Sequence, residues 1–307
     1  LMSALSGVEM ALWDIKGKDL GVPVYQLLGG KVRDRVPCYA NGWFAGAKTP
    51  DEFAEKARIA VGNGFAALKW DPFGSEYMNI SPKAFYEAMA CVEAVKAAVK
   101  GKADLLIEGH GRFNIPSAIR IANALAEFDI LWFEEPIPPD HREGMAEVRK
   151  KSKVPIAAGE RLYNRYDFNE FLRYGCADFW QPDVSHAGGI GELKKIAAMA
   201  ETHYIPICPH NPSGPIANAA TLQLAACVPN FFLLETMASD VEYRKDICNE
   251  QVFFENGAMK INDKPGLGID YFEEEIKKYP FEPRNLRHYQ GTLTDIRPVH
   301  STSYFSK

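Results

Sequence analysis

No run of about 18 apolar residues occurs in the 307-residue chain, so no helical membrane span is expected. The opening stretch is interrupted by Glu9 and Asp14 and lacks the core of a secretory signal. It enters a helical pattern directly at Leu1, and residues preceding Leu1 are expected in the natural protein. Basic charge is not in excess: 35 Lys and Arg against 40 Asp and Glu leave a net charge of −5, without the electrostatic footprint of a nucleic-acid binder. The runs Arg149-Lys150-Lys151 and Lys194-Lys195 read as solvated helix faces. Cys-x-x-Cys pairs are missing too. The six cysteines, Cys38, Cys91, Cys176, Cys208, Cys227 and Cys248, sit in apolar or neutral surroundings, as expected of reduced, buried side chains in a cytoplasmic protein. At 47% hydrophobic and 24% charged, the chain is neither disordered nor fibrous.

What is present is an alternation. Residues 2–19 read as one amphipathic helix stopped by Gly21-Val22-Pro23, and a short helix near Val24–Leu28 ends at Gly29-Gly30. Short apolar runs then recur at Val36–Tyr39, Ala66–Trp70, Asp104–Glu108, Leu131–Glu134, Val154–Ala158, Asp178–Gln181, Tyr204–Cys208 and Phe231–Glu235. Helical patterns separate them: Glu52–Asn63, Ser81–Val99, Ile115–Glu127, Arg142–Lys151, Asp167–Tyr174, Ile190–Thr202 and Pro215–Ala226. Strands joined by helical crossovers run parallel, and eight such units close into a barrel. The expected class is therefore α/β, a (β/α)8-type TIM barrel. Residues 236–307 carry turn signals such as Glu255-Asn256-Gly257 and Lys264-Pro265-Gly266, and read as an irregular tail packing back on the first helix.

Ionisable residues stand at the carboxyl ends of the predicted strands, where barrel strands carry chemistry. Glu108, Glu134, Glu160, Asp183, His210 and Glu235 follow one another at intervals of 26, 26, 23, 27 and 25 residues, one strand–helix unit each. Any one of these carboxylates could pair with a neighbouring Lys or Arg. Three at successive strand ends repel one another unless a cation lies between them, and an all-oxygen set selects a hard ion such as Mg2+. Asp183 and His210, on neighbouring strands, form a candidate base dyad in which the carboxylate fixes one imidazole nitrogen. His110, two residues beyond Glu108, faces the same way along its strand and reaches the other side of a bound substrate. His186 and His203 read as structural.

These residues resemble the mandelate racemase branch of the enolase superfamily. The motifs are "SALSGVEMALWDIKGKDLGVPVYQLLGG", "WFEEP", "AAGERL", "QPDVSHAGGI" and "KPGLG"; "IEGHGRFN", "ALKWDPFG" and "PHNPSGPI" are similar to galactonate and gluconate dehydratases. The resemblance implies that Glu108, Glu134 and Glu160 bind Mg2+, and that Asp183 and His210 take the C2 proton of a sugar acid. It implies that His110 protonates the departing 3-hydroxyl, and that Glu235 hydrogen-bonds the substrate carboxylate or its enediolate. Lys69 would help neutralise that carboxylate, with Asp71 and Arg112 as further substrate-binding residues. The product would be a 2-keto-3-deoxy acid. Implied domains are the last helices of an α+β capping domain (1–30), the barrel (31–240) and a C-terminal segment (241–307), in a homo-oligomer whose partner is a small sugar acid. Where racemases and cycloisomerases of the superfamily carry Lys-x-Lys, this chain has Lys69-Trp70-Asp71, which argues against a lysine base. Glu108 stands where Asp is commoner. Alternatives are C2 epimerisation by His110 and His210, or a catalytically silent barrel used for binding.

Overall fold

The computed structural model describes residues 1–238, 242–249 and 254–280. Two helices open the chain, α1 (Met2–Leu20) and α2 (Val24–Leu27). Then β1 (Arg35–Asn41), α3 (Pro50–Gly62), β2 (Ala67–Trp70), α4 (Pro82–Val99), β3 (Asp104–Glu108), α5 (Ile115–Leu125) and β4 (Trp132–Glu134) alternate. They continue as α6 (Arg142–Lys151), β5 (Ile156–Ala158), α7 (Asn164–Tyr174), β6 (Phe179–Trp180), α8 (Ile190–Glu201), α9 (Pro215–Cys227) and β7 (Leu234–Met237). The helix starts follow local chemistry. Thr49 and Glu52 form a reciprocal capping box on α3, the Ser81 and Asn114 side chains accept from the first turns of α4 and α5, and all three helices carry Pro in that turn.

Strands β1 to β6 pair in parallel in chain order, and β7 returns to pair with β1, Tyr39 opposite Glu235. Between β6 and β7 the ring is completed by single bridges, Trp180 to Ile207 and Ile207 to Phe231. The predicted strand Tyr204–Cys208 is thus reduced to one bridged residue, because Pro206 and Pro209 on either side of it carry no N–H for a ladder. A hairpin, β8 (Phe254–Glu255) and β9 (Ala258–Lys260), adds antiparallel to β1, so part of the expected tail is sheet. The chain then lies along α1: Leu267 N–H donates to Asp14, Lys18 pairs with Asp270, and Gly266 and Val24 share a backbone hydrogen bond. A short α10 (Glu273–Ile276) follows; the remainder of the expected C-terminal segment, residues 281–307, lies outside the described residues. No helix among the described residues is long and apolar enough to cross a membrane.

α1 buries Ser6, Met10 and Gly17, while Leu5, Val8, Leu12 and Ile15 are exposed. A Cβ on Gly17 would lie 2.7 Å from the Gly266 Cα, so close backbone approach decides which face docks. All six cysteines are buried, and none is in a disulfide among the described residues.

Strand alternation sorts the barrel. Leu68, Leu105, Ile107, Phe133, Ile156, Ala158 and Trp180 face the helices. Tyr39, Ala67, Leu106, Trp132, Ala157, Cys208 and Leu233 form a separate cluster in the interior, with Phe179 packed against it. Two residues beyond each of these, on the same face, come Asn41, Lys69, Glu108, Glu134, Gly159, His210, Glu235 and Gln181. The apolar interior therefore ends in a layer that is almost wholly polar.

Candidate active site at the carboxyl end of the barrel

Glu108, Glu134 and Glu160 each bring a carboxylate oxygen to a common point, the three within 4.8 Å of one another. Glu108 and Glu134 arrive by alternation. Glu160 is one residue out of phase, the interior position on its strand being Gly159. Gly159 has φ 136°, a conformation closed to most side chains, and that turn brings the Glu160 carboxylate round to the others. The donor set fits a hard divalent cation: all ligands are carboxylate oxygens, and the buried Glu108 Oε2 has no hydrogen-bond partner among the described residues.

Lys69 Nζ lies 2.6 Å from Glu134, 3.0 Å from Glu235 and 3.4 Å from Glu108, with all four side chains 3% exposed or less. Burial alone favours the neutral amine, but Glu134 and Glu235 outweigh it and hold Lys69 protonated. Burial and the neighbouring Glu108 push the Glu134 carboxyl up to about 8, against the pull of Lys69. Burial also opposes ionisation of Glu235, yet Lys69, His210 and hydrogen bonds from Asn211 N–H (2.9 Å) and the Asn41 amide (2.6 Å) hold it down at about 2.

His210 is held through Nδ1 by Asp183 Oδ2 at 2.7 Å, and its Nε2 is 3.7 Å from Glu160. Burial disfavours the charged ring, but Glu160 and the Asp183 hydrogen bond raise His210 to about 10. A cation bound by Glu160 would cancel that part of the push. Strand β3 stands four positions round the eight-stranded ring from the seventh strand position, so His110 approaches from the opposite side. Its Nδ1 is 2.6 Å from Asp71 Oδ2. His110 is not placed by strand alternation as expected: it sits in a turn at φ 50°, its N–H on Glu108 Oε1 at 2.7 Å, and Gly111 N–H on the Glu135 carbonyl. His186 is hydrogen-bonded through Nδ1 to Ser3, and its Nε2 lies 3.8 Å from Asp183 Oδ2.

The four residues expected at the substrate are almost wholly buried. Asp71 and Arg112, 1% and 0% exposed, are turned onto His110 and each other. The Lys69 amine is folded onto carboxylates of three strands. Glu235 has both oxygens engaged, one by the Asn41 amide and the Lys69 amine and the other by the Asn211 N–H. Sequence reasoning missed Glu135, a buried carboxyl 3.1 Å from Arg161 Nε and raised well above the carboxylate range by burial and Glu160. Its only signal was the Glu134-Glu135 doublet. Gln181, also missed, is fully buried with no hydrogen-bond partner among the described residues on either amide atom. Counting two residues on from Phe179 would have found it.

A family model described as enolase C-terminal domain-like matches residues 52–275, and a second, described as mandelate racemase/muconate lactonizing enzyme, N-terminal domain, matches residues 1–29. The chain is 38% identical over 285 residues to the D-gluconate dehydratase of Thermoproteus tenax, covering 92% of this chain and 57% of that protein. It is 38% identical over 280 residues to the D-gluconate/D-galactonate dehydratase of Picrophilus torridus, covering 91% and 72%. Among solved structures, a mandelate racemase/muconate lactonizing enzyme from Sulfitobacter sp. superposes with a TM-score of 0.88 at 37% identity, covering 92% of this chain and 74% of that one.

Proposed function

The chain belongs to the mandelate racemase/muconate lactonizing enzyme family, and from that premise we propose that it is a magnesium-dependent dehydratase of linear sugar acids, of the gluconate or galactonate type. The observation that carries the reading is the pair of imidazoles on opposite strands, each held through Nδ1 by its own aspartate, at 2.6 and 2.7 Å, beside a triad of carboxylates. Relatives named for gluconate, galactonate and xylonate support the substrate class, since these acids share the 2,3-dihydroxy carboxylate end on which such a site would act.

Glu108, Glu134 and Glu160 would hold the cation. When bound, it supplies positive charge where the substrate carboxylate gathers negative charge as C2 is deprotonated. His210 takes the C2 proton at Nε2, and Asp183 steadies the resulting imidazolium. The electron pair left at C2 is delocalised into the carboxylate as an enediolate. That pair returns to form the C2–C3 double bond as the C3–O bond breaks, and His110 protonates the departing hydroxyl from Nε2. Water leaves, and the enol becomes the 2-keto-3-deoxy acid. We assign Glu235 and Lys69 to the support of this layer: Lys69 compensates the buried carboxylates, and Glu235 anchors Lys69.

His210→Asn is expected to abolish both dehydration and exchange of the C2 hydrogen with solvent. His110→Asn is expected to spare exchange and block water loss. A product that keeps its 3-hydroxyl would overturn dehydration in favour of C2 epimerisation by the two histidines. Wild-type dehydration by His110→Asn would remove His110 from the role of acid.

A further inference from the structure

Arg112 is an arginine with almost no contact with solvent, its guanidinium bonded inward. Its Nη2 meets Asp71 Oδ2 at 2.5 Å, Nη1 reaches the carbonyls of Gly74 and Glu76 at 2.7 and 3.2 Å, and Nε reaches the Gly109 carbonyl at 3.2 Å. These bonds tie the loop after β2 to the turn after β3. The other Asp71 oxygen, Oδ1, takes the Phe73 N–H at 2.9 Å. The Asp71 carboxylate is thereby clamped from two sides, and a clamped carboxylate can only accept from the imidazole nitrogen 2.6 Å away.

We propose that Asp71, held by Arg112, is a positioning residue that keeps the His110 proton on Nδ1 and turns Nε2 toward the substrate's leaving hydroxyl. The inference rests on the dehydratase reading given above. His110 occupies a left-handed turn in a loop with glycine on both sides, and such a turn does not by itself determine where the ring points. The carboxylate supplies that direction. It also settles the chemistry: after Nε2 gives its proton to the departing oxygen, the ring is left neutral with its hydrogen still on Nδ1, the form an Asp71 carboxylate favours. Asp71 does not touch substrate. It acts through His110 only, so its removal should separate the two halves of the reaction, which loss of folding would not do.

The test uses Asp71→Asn, with Arg112→Lys as a second variant that keeps the charge but loses the planar fork. Three quantities are read: dehydration, C2 hydrogen exchange in D2O, and the His110 tautomer by 15N NMR, the resonance assigned by its loss in His110→Asn. We expect wild-type His110 to carry its proton on Nδ1 when neutral. In Asp71→Asn it should lose that preference, with dehydration down about 100-fold or more and exchange within about 3-fold of wild type. Arg112→Lys should move the same way by a smaller factor. The proposal is overturned if wild-type His110 is the Nε2–H tautomer, if exchange and dehydration fall together, or if both variants dehydrate at the wild-type rate. Should Asp71→Asn fail to fold, Arg112→Lys and the wild-type tautomer decide alone. A wild-type protein that neither exchanges nor dehydrates any sugar acid would count against the dehydratase reading itself, and the tautomer would then judge the Asp71 assignment separately.

Discussion

Adding Mg2+ at pH 7 to metal-free protein carrying His110→Asn and His210→Asn, which removes the two imidazoles that Glu108 and Glu160 also hold protonated, is expected to release close to one proton per ion bound. The Glu134 carboxyl stands at about 8 because it is buried beside Glu108, and the Lys69 amine at 2.6 Å does not offset both effects. At pH 7 such a group is protonated in about nine molecules of ten, and a carboxylate ligand must give that proton up to a cation. The released fraction should therefore be about 0.9 at pH 7, about 0.5 at pH 8 and about 0.1 at pH 9, with apparent affinity rising up to about tenfold per pH unit below 8. Calorimetric titration with Mg2+ in two buffers of different ionisation enthalpy measures the number directly. Glu135, raised as well but bonded to Arg161, is separated by Glu135→Gln, which should leave the Glu134 share in place. Release near zero at pH 7, or release that grows between pH 7 and 9, would refute the reasoning: the carboxyl would then be ionised before the metal arrives.

Lys69→Met strips the charge that three buried carboxylates share, and should cost about 3–5 kcal/mol in denaturant melts with a chelator present; the cost should shrink with Mg2+, and an equal loss under both conditions would separate Lys69 from the metal site. Gly159→Ala places a Cβ 3.0 Å from the Gln181 nitrogen at φ 136°, so it should lose about 1–3 kcal/mol and, through Glu160, much of its Mg2+ affinity. Unchanged Mg2+ binding by that variant would contradict the role given to the glycine. Hydrogen bonds from Tyr25 and Lys31 hold the Asp263 carboxyl below its ordinary range, and one from Lys18 does the same for Asp270. The unfolded chain therefore binds more protons than the folded one as pH falls below about 4, and the attachment of segment 263–270 to α1 and α2 should loosen there. Both aspartates are largely exposed, so the effect should be small, weakened by salt, and visible as faster amide exchange in that segment but not in β3 or β4.

The barrel was legible because its connections are regular: strand and helix patterns of steady length leave little room for another topology. The ring of ionisable strand ends was legible for the same reason, since the interval between Glu108 and Glu134 is a structural repeat and not a coincidence of composition. Other features lay beyond pattern reading. Hydrophobic periodicity in α1 says nothing of how closely two backbones can approach, and the contact of Gly17 with Gly266 decides which face docks. Asp71 and Arg112 were expected at the substrate from the resemblance alone; nothing in local sequence says that a guanidinium 41 residues away will close over the carboxylate.

The period of two that builds the barrel also explains why its site is costly. Every side chain of the upper interior layer takes a place that, two residues earlier on the same strand, holds Ala, Leu, Trp, Tyr, Phe or Cys. An apolar layer there would be more stable, since burying charge carries a desolvation penalty that pairing only partly returns. The penalty is contained by sharing: one lysine faces three carboxylates, and one carboxyl keeps its proton. That arrangement leaves the layer short of positive charge by an amount a divalent cation can supply. The same deficit that raises Glu134 is thus the driving force for binding the ion, and a variant that relieved it with a second lysine in the layer would gain stability and lose metal together.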